Sequence, residues 1–197
     1  RERDRLVYQD ETGLLDLPLP VLLGDHQIQN AGTAIASLRV LGFDEAACEA
    51  AMLNASWPAR MQRLQQGPLI DAAPDVELWL DGGHNAAAAE AIAALLGSLP
   101  KRSTHLICGM LNTKDVSGYM RPLAPHAEQL VAVSIPGEKA TLSARETADA
   151  ASAAGISANT ADSALAALQQ IANADPTARV LICGSLYLAG DVLRSNS

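Results

Sequence analysis

The segment VELWLDGGHNAAAAEAIAALL, residues 76–96, determines the predicted fold. Its apolar run, residues 76–81, has the character of a strand and leads through a glycine turn into an alanine-rich stretch that predicts a helix to about Leu96. The same alternation recurs downstream, with apolar runs at 105–109, 130–134 and 179–184. This pattern predicts an α/β fold with a mainly parallel sheet and helices on both faces.

Further helices are predicted between and before these strands. Ser143 and Glu146 match a capping box, which favours a helix to about Ala154. The other predictions are a helix over 28–41 ended by Gly42, a helix from the N-cap Asp44 to about Leu53, a helix from about Lys114, a short strand near Ile156, a helix over 162–172 and a final helix to about Arg194.

The chain is predicted to divide near residues 55–65, in the turn around Pro58. The part of the chain before that turn begins with RERDRLVYQDETG, a charged stretch that is not followed by an apolar run. A signal peptide needs such a run, so we expect this opening to be a strand entered partway through a domain.

Composition excludes several classes of function. The 197 residues hold 22 acidic and 14 basic side chains, a formal net charge of −8, which disfavours nucleic acid or an anionic membrane as the main partner. The longest apolar runs, about six residues, fall well short of the roughly 20 that cross a bilayer. Cys48, Cys108 and Cys183 lie far apart without C-x-x-C spacing, so we expect a reducing, cytoplasmic setting and no disulfide framework.

Three of the predicted strands end in polar, glycine-containing turns: DGGHN (81–85), CGMLNTKD (108–115) and CGSLY (183–187). Ligands of open parallel sheets bind beyond the carboxyl ends of the strands, so these turns are expected to share one rim. The helices that follow present their N-terminal N–H groups there, which favours an anionic ligand.

Asp81 and His84 are the leading candidates on this rim. Asp81 could accept hydrogen bonds from a ribose hydroxyl, and His84 could bind a carboxylate or orient a reacting amine. The alternative is that Asp81 caps the next helix and that His84 satisfies a loop carbonyl. Cys108 and Cys183 are expected to be small buried residues rather than nucleophiles.

Other candidates also have two interpretations. Lys114 could be a cation that binds the ligand, with Asp115 orienting it. Alternatively, the two residues are a solvated pair in the first turn of a helix. Ser185 donates to a carboxylate or is an N-cap. Arg60 binds phosphate or forms an interdomain salt bridge. Asn30, like His26, has local capping as its alternative role.

Several familiar sites are missing from the sequence. It contains no G-x-G-x-x-G after a strand, no G-x-S-x-G elbow and no P-loop of its own. The four histidines are too dispersed to pair as metal ligands, so no metal is assigned.

Five ordered motifs together resemble the folylpolyglutamate synthase and dihydrofolate synthase family of the Mur ligase superfamily. They are GDHQIQNAGTAIASL (24–38), WPARMQ (57–62), LDGGHNAAA (80–88), GMLNTKD (109–115) and CGSLYLAG (183–190). The resemblance implies an ATP-dependent ligase that joins glutamate to dihydropteroate or to the glutamate tail of a folate, through an acyl phosphate. It also implies that this chain is a C-terminal fragment. Residues 1–57 would end the central ATPase domain, and 58–197 would form the Rossmann-like C-terminal, glutamate ligase domain.

The resemblance also implies roles for individual residues. Asn30, Arg60 and Asp81 match ATP-contacting positions, and Asp81 and His84 match the catalytic motif. His84 and Ser185 match glutamate-side positions, with Lys114 beside Asp115 organising that rim for substrate. Gly83 and Ala86 depart from the Ala and Pro that the family usually has, which predicts a looser turn.

The same resemblance sets the expected cofactors and partners. The expected cofactors are ATP and Mg²⁺, and the metal would be held mainly by the missing N-terminal part. The expected partner is a P-loop domain of the same protein. The fragment alone is expected to be inactive, and the protein is expected to be monomeric. Two alternatives stay open: a ligase of cell-wall precursors, and a non-catalytic α/β module that binds a small anion or nucleotide. The HQIQN and GSLYL motifs favour the folate branch.

Overall fold

The computed structural model describes residues 3–197, so the first two residues of the predicted opening strand, Arg1 and Glu2, lie outside the described part. The chain forms two compact units, the first ending at Pro58 and the second running from Ala59 to Ser197.

The first unit is a β-hairpin and two helices. Strands β1 (Arg5–Asp10) and β2 (Gly13–Pro18) pair antiparallel, so the predicted opening strand has a partner that the sequence did not indicate. Helix α1 (Asp25–Val40) begins three residues before its predicted start, and α2 (Glu45–Asn54) follows it. The buried apolar residues of this unit are Leu6, Leu15, Leu17, Ala31, Ile35, Cys48 and Met52.

Local signals account for the connection between α1 and α2. Gly42, at φ 82°, donates its N–H to the Arg39 carbonyl, and the Phe43 N–H bonds to the Leu38 carbonyl. These two bonds form a Schellman motif, which satisfies carbonyls that would otherwise lack partners. The side chain of Asp44 accepts the N–H of Ala47, as expected of an N-cap.

The second unit alternates strands and helices. Its elements are β3 (Gln62–Arg63), α3 (Pro68–Ala72), β4 (Glu77–Leu80), α4 (Ala86–Ser98), β5 (Thr104–Cys108), α5 (Val116–Leu123) with a 3₁₀ turn over Ala124–His126, β6 (Gln129–Ala132), α6 (Ala144–Ala153), β7 (Ala158–Thr160), α7 (Ala164–Ala174), β8 (Arg179–Cys183) and α8 (Leu186–Ser195).

The strands form one sheet in the order β3-β4-β8-β5-β6-β7, in which only β3 is antiparallel to its neighbour. Helices cover both faces: α3, α7 and α8 pack on one, and α4, α5 and α6 on the other. The predicted mainly parallel sheet with helices on both faces is therefore confirmed. The last strand, β8, lies between β4 and β5 and is buried along its whole length.

Most element predictions hold within two or three residues. The capping box is confirmed, because Ser143 accepts the Glu146 N–H and Glu146 accepts the Ser143 N–H. The short strand is displaced: Ile156 packs in the core and β7 begins two residues later. The brief elements β3 and α3 were not predicted. Among residues 3–197, no helix combines the length and apolarity that a bilayer crossing requires.

Glu77 joins the amino ends of several strands in the second unit. Its carboxylate accepts the Arg179 Nε–H at 2.7 Å and the Trp79 indole N–H at 2.8 Å, and Arg63 and Arg102 lie within 3.4 Å. Burial alone would raise the pKa of Glu77. The hydrogen bonds and guanidinium charges outweigh burial, so the pKa lies below its ordinary value of 4.5.

We expect Glu77→Gln to lower the free energy of unfolding at neutral pH by about 2–3 kcal/mol. This is less than the roughly 3–5 kcal/mol typical of a buried ion pair, because Arg63 and Arg102 are partly exposed. A carboxylate whose pKa is lowered by folding stabilises the native state above its unfolded pKa, and this stability is lost as pH falls through the folded pKa.

The difference between wild type and Glu77→Gln should therefore shrink below about pH 4.5. Urea unfolding at pH 7, 5 and 3.5 measures it. Glu90→Gln, the same change at an exposed site on α4, is the control. A difference that does not change with pH would contradict the assignment.

Candidate functional site

The carboxyl ends of β4, β8 and β5 form one edge of the sheet. The Asp81 N–H bonds to the Ile182 carbonyl, the Gly184 N–H to the Gly83 carbonyl, and the Gly109 N–H to the Cys183 carbonyl. The three polar turns that the sequence singled out therefore lie side by side, and the expected common rim is observed.

Asp81 is directed toward the protein backbone. Its Oδ2 accepts the Met61 N–H at 2.8 Å and its Oδ1 accepts the Gly83 N–H at 2.6 Å. The residue is only 6% exposed. The alternative in which Asp81 caps the following helix is wrong, because Asn85 is the N-cap of α4 and accepts the Ala88 N–H.

His84 is half-buried, and its Nδ1 lies 3.1 Å from the Gly82 carbonyl oxygen. This is the loop-carbonyl contact of the simpler interpretation, and it also has a chemical consequence. A hydrogen bond to a carbonyl requires the proton on Nδ1, so Nε2 of the neutral ring is left as a proton acceptor. A Cβ on Gly83 would lie 2.8 Å from Asp81 Oδ1, so the turn packs closely at this residue.

Ser185 begins α8 on the neighbouring strand. Its hydroxyl oxygen accepts the Tyr187 N–H at 3.1 Å, so it is an N-cap, and the residue is 2% exposed. Gly184 just before it has φ 101° and packs against Cys108 and Gly109. The close approach of β8 to β5 therefore fixes where α8 starts.

Arg60 lies in a turn with unusual backbone. Its neighbours Ala59 and Met61 have φ of 54° and 39°, and each such non-glycine conformation costs roughly 1–2 kcal/mol. The Arg60 Nη1 donates to the Ala59 carbonyl at 3.0 Å, and a Cβ on Gly82 would lie 3.2 Å from that nitrogen. Arg60 therefore lies against the turn that carries Asp81 and His84.

Lys114 is half-buried in the loop after β5, and the exposed Asp115 behind it caps α5 by accepting the Gly118 N–H. The helix thus starts at Val116, two residues after its predicted start. The sequence did not indicate that this loop is paired with the loop after β6. The Asn112 N–H bonds to the Ala140 carbonyl and the Leu142 N–H to the Met110 carbonyl.

Asn30 lies in the first unit, on the exposed part of α1. Its Nδ2 donates to Gln27 Oε1 at 3.0 Å within the helix. Local capping is therefore wrong for Asn30, since Gly24 is the N-cap and α1 is already in its second turn at this residue.

Two cysteines lie directly beneath the rim. Cys108 and Cys183 are opposite each other on β5 and β8 and are fully buried, as expected. Interaction with Cys183, together with burial, raises the pKa of the Cys108 thiol, so it is protonated at neutral pH. Burial, with the two cysteines nearby, also raises the pKa of Tyr119.

A cavity of about 870 Å³ lies at the opposite edge of the sheet, lined by residues 99–104 and 125–128 and by Arg179. The buried Arg179 in it is already paired with Glu77 and the Pro100 carbonyl. The cavity is far from the polar turns in the topology, because Arg179 begins β8 and Ser185 follows its end. The sequence-predicted site residues of the second unit lie at the other edge, on the rim.

The comparisons with known proteins agree with this architecture. The Mur ligase glutamate ligase domain matches residues 59–186, most of the second unit, and the chain belongs to the Mur ligase family.

Two curated relatives align with almost the whole chain. It is 31% identical over 194 residues to a protein of Haloferax volcanii named "Probable bifunctional folylpolyglutamate synthase/dihydropteroate synthase", and 28% identical over 195 residues to folylpolyglutamate synthase of Lacticaseibacillus casei. The alignments cover 94% and 95% of this chain but 21% and 42% of the relatives, so the chain spans less than half of their length.

The solved structure of E. coli FolC in complex with DHPP and ADP matches with a TM-score of 0.76 at 29% identity. The match covers 94% of this chain and 42% of that one.

The close contact at Gly184 gives a prediction with an internal control. Gly184 and Gly155 both have positive φ, but a Cβ on Gly184 would lie 2.6 Å from Cys108 Sγ, whereas nothing lies within 4 Å of one on Gly155. We expect Gly155→Ala to cost about 1 kcal/mol of unfolding free energy and Gly184→Ala about 2–4 kcal/mol, since the second adds overpacking to strain. Urea unfolding of both variants tests this, and equal costs would contradict the close packing of β8 on β5.

Proposed function

We propose that this chain works as the C-terminal part of an ATP-dependent ligase that adds L-glutamate to dihydropteroate, to tetrahydrofolate or its polyglutamates, or to both. The observation that carries the proposal is the convergence of Arg60, Asp81, His84 and Ser185 at one edge of a glutamate ligase domain. The names of the relatives and the ADP and DHPP in the E. coli structure support the choice of substrates.

The proposed reaction has two transfers. A carboxylate oxygen of the acceptor attacks the γ-phosphorus of ATP and ADP leaves, which gives an acyl phosphate. The glutamate nitrogen then attacks the acyl carbon, and phosphate leaves from the tetrahedral intermediate. The amine must lose its protons during this attack, so the site needs a proton acceptor beside it.

The residues of the rim suit these steps. Arg60 is proposed to contact the transferred phosphate, and Asp81 the nucleotide. The resemblance separately assigns Asn30, in the first unit, to the nucleotide. His84 is proposed to take the proton from the glutamate ammonium through Nε2, since its Nδ1–H is committed to the Gly82 carbonyl. Ser185 retains a hydroxyl proton to donate to a glutamate carboxylate, and Lys114 adds a positive charge on the same edge.

The N-termini of α4 and α8 reinforce this preference for anions. Both helices begin at the rim, at Ala86 and Leu186, and their partial positive charge favours carboxylate or phosphate there.

The magnesium ion is proposed to be held mainly by residues outside this chain. Across residues 3–197, no three His, Cys, Asp or Glu side chains are grouped as metal ligands would be. When bound, the ion would neutralise charge on the transferred phosphate.

The domain assignment is also a proposal. Residues 1–57 are proposed to end a central ATPase domain, and residues 58–197 to form the glutamate ligase domain. Its support is the division into two compact units after Pro58 and the family match that starts at residue 59. A P-loop domain of the same protein would supply the triphosphate site, so the chain alone is proposed to be inactive. We further propose a monomeric, cytoplasmic protein.

The function is tested by phosphate release from ATP in the longer protein that carries this chain. We expect release to require glutamate together with dihydropteroate or tetrahydrofolate, and mass spectrometry to show a product one glutamyl residue heavier. Phosphate release that requires a cell-wall precursor instead would assign the protein to another branch of the family. Binding of nucleotide without any ligation would support a regulatory module.

Arg60→Ala in the same protein should lower kcat/KM for ATP by an amount equivalent to about 2–5 kcal/mol, as for loss of one partner of a buried charge pair. Arg145→Ala, which removes a guanidinium that is 82% exposed on α6, is the matched control and should retain activity. Unchanged ATP kinetics in Arg60→Ala would remove Arg60 from the site.

A further inference from the structure

We propose that the cavity at the amino edge of the sheet is a second ligand site, which binds a phosphate group. The cavity, of about 870 Å³, lies between the end of α4, the loop before β5, the 3₁₀ turn before β6 and the start of β8. Small-molecule sites typically have volumes of roughly 300–1,000 Å³. This proposal concerns the edge of the sheet opposite the rim and does not rest on the proposed function.

The first observation is the state of Arg179 in the wall of the cavity. The residue is only 3% exposed. Its Nε donates to Glu77 Oε1 at 2.7 Å and its Nη2 donates to the Pro100 carbonyl at 3.1 Å. A guanidinium has five N–H donors, and the remaining ones make no hydrogen bond within residues 3–197. Because buried donors are normally paired, open donors of a buried arginine beside a cavity indicate a place for an anion.

The charged side chains that line the cavity are mostly positive. Lys101, Arg102 and Arg179 are cationic, and Glu128 is the one carboxylate among the lining residues. Lys101 is exposed and forms no ion pair in the part of the chain that the structure describes. The whole chain has a net charge of −8, so the cavity is positive against the trend of the protein. Clefts lined by one sign of charge concentrate ligands of the opposite sign.

Glu77, which lies behind the cavity, does not cancel this positive charge. Its carboxylate contacts three guanidinium groups, those of Arg179 at 2.7 Å, Arg102 at 3.2 Å and Arg63 at 3.4 Å. Arg63 also lies over the Trp79 ring, 5.5 Å from its centroid. One carboxylate neutralises one positive charge, so the guanidinium groups beside the cavity keep a net positive charge.

The 3₁₀ turn contributes a further polar side chain. His126 is half-buried and lines the cavity, and a Cβ on Gly97 would lie 3.2 Å from its Cε1. The imidazole can lie against the end of α4 because Gly97 has no side chain. Among residues 3–197 no hydrogen-bond partner of this ring is observed, so its N–H is a donor for a ligand oxygen.

These features favour a phosphate group over a carboxylate. A phosphate monoester carries between one and two negative charges at neutral pH and three acceptor oxygens, which matches an excess of positive charge and donors from several segments. A carboxylate carries one charge and two oxygens. The cavity is larger than a phosphate group, so it also has room for the organic part of a phosphorylated small molecule.

The binding test uses this chain labelled with ¹⁵N and titrated, at constant ionic strength, with inorganic phosphate and with ribose 5-phosphate. Amide chemical shifts of residues 97–104 and 126–128 should change in a saturable way, with a dissociation constant of about 1 mM or lower for the tighter ligand. Ribose 5-phosphate that binds at least about threefold more tightly supports a phosphorylated small molecule as the ligand. Equal binding of the two probes supports free phosphate instead.

A double variant tests the role of the cavity's charges. Lys101→Gln with Arg102→Gln should weaken binding about tenfold or more, because it removes two cations from the lining. Both residues are exposed, so we expect the variant to fold. The matched control is Lys139→Gln with Arg145→Gln, which removes two exposed positive charges elsewhere in the second unit and should bind as wild type does.

A rim variant separates the two edges of the sheet. Arg60→Ala should leave binding at residues 97–104 unaltered. Chemical-shift changes that do not saturate, that sodium chloride reproduces at the same ionic strength, or that are confined to the rim would overturn the proposal. Equal losses of binding in the two double variants would also overturn it. Citrate that binds as tightly as ribose 5-phosphate would refute the choice of phosphate.

Discussion

The parallel pairing of β8 with both β4 and β5 is the constraint on which the rest of the second unit depends. It places three strand ends at one edge, so that backbone bonds link the turns at Gly83, Gly109 and Gly184. Glycines at these positions let neighbouring segments of the backbone approach more closely than a Cβ would permit. The rim is therefore built first from backbone, and its polar side chains take their directions from that framework.

The amino ends of the same strands are held differently. There, one carboxylate, Glu77, neutralises guanidinium groups from β3, β8 and the segment before β5. Charge thus fixes one edge of the sheet, while close backbone packing fixes the other. The carboxyl edge therefore carries half-buried polar side chains such as His84, whereas the charges at the amino edge are mostly paired with one another.

Much of this could be predicted from sequence, because the signals are local. Apolar runs in the sequence predicted β4, β5, β6 and β8. The capping box of Ser143 and Glu146 spans only four residues. The candidates Asp81, His84, Lys114 and Ser185 could be found because strand ends in a parallel sheet share an edge. The ATP-contacting roles of Asn30 and Arg60 came only from the resemblance. What could not be predicted depends on register: the bond from Met61 to Asp81, 20 residues apart, changes the interpretation of that carboxylate, and β3 is too short to leave a pattern.

The position of β8 also has a consequence for biosynthesis. Of the six strands in this sheet, β8 is the last in sequence, although it lies in the interior, and about 100 residues separate the end of β4 from its start. At roughly 5–20 residues per second, the ribosome takes on the order of 5–20 s to supply it. Until β8 is made, β4 lacks this partner, and so does β5 once it has been translated. Unpaired strand edges are the parts of a nascent chain most prone to aggregate.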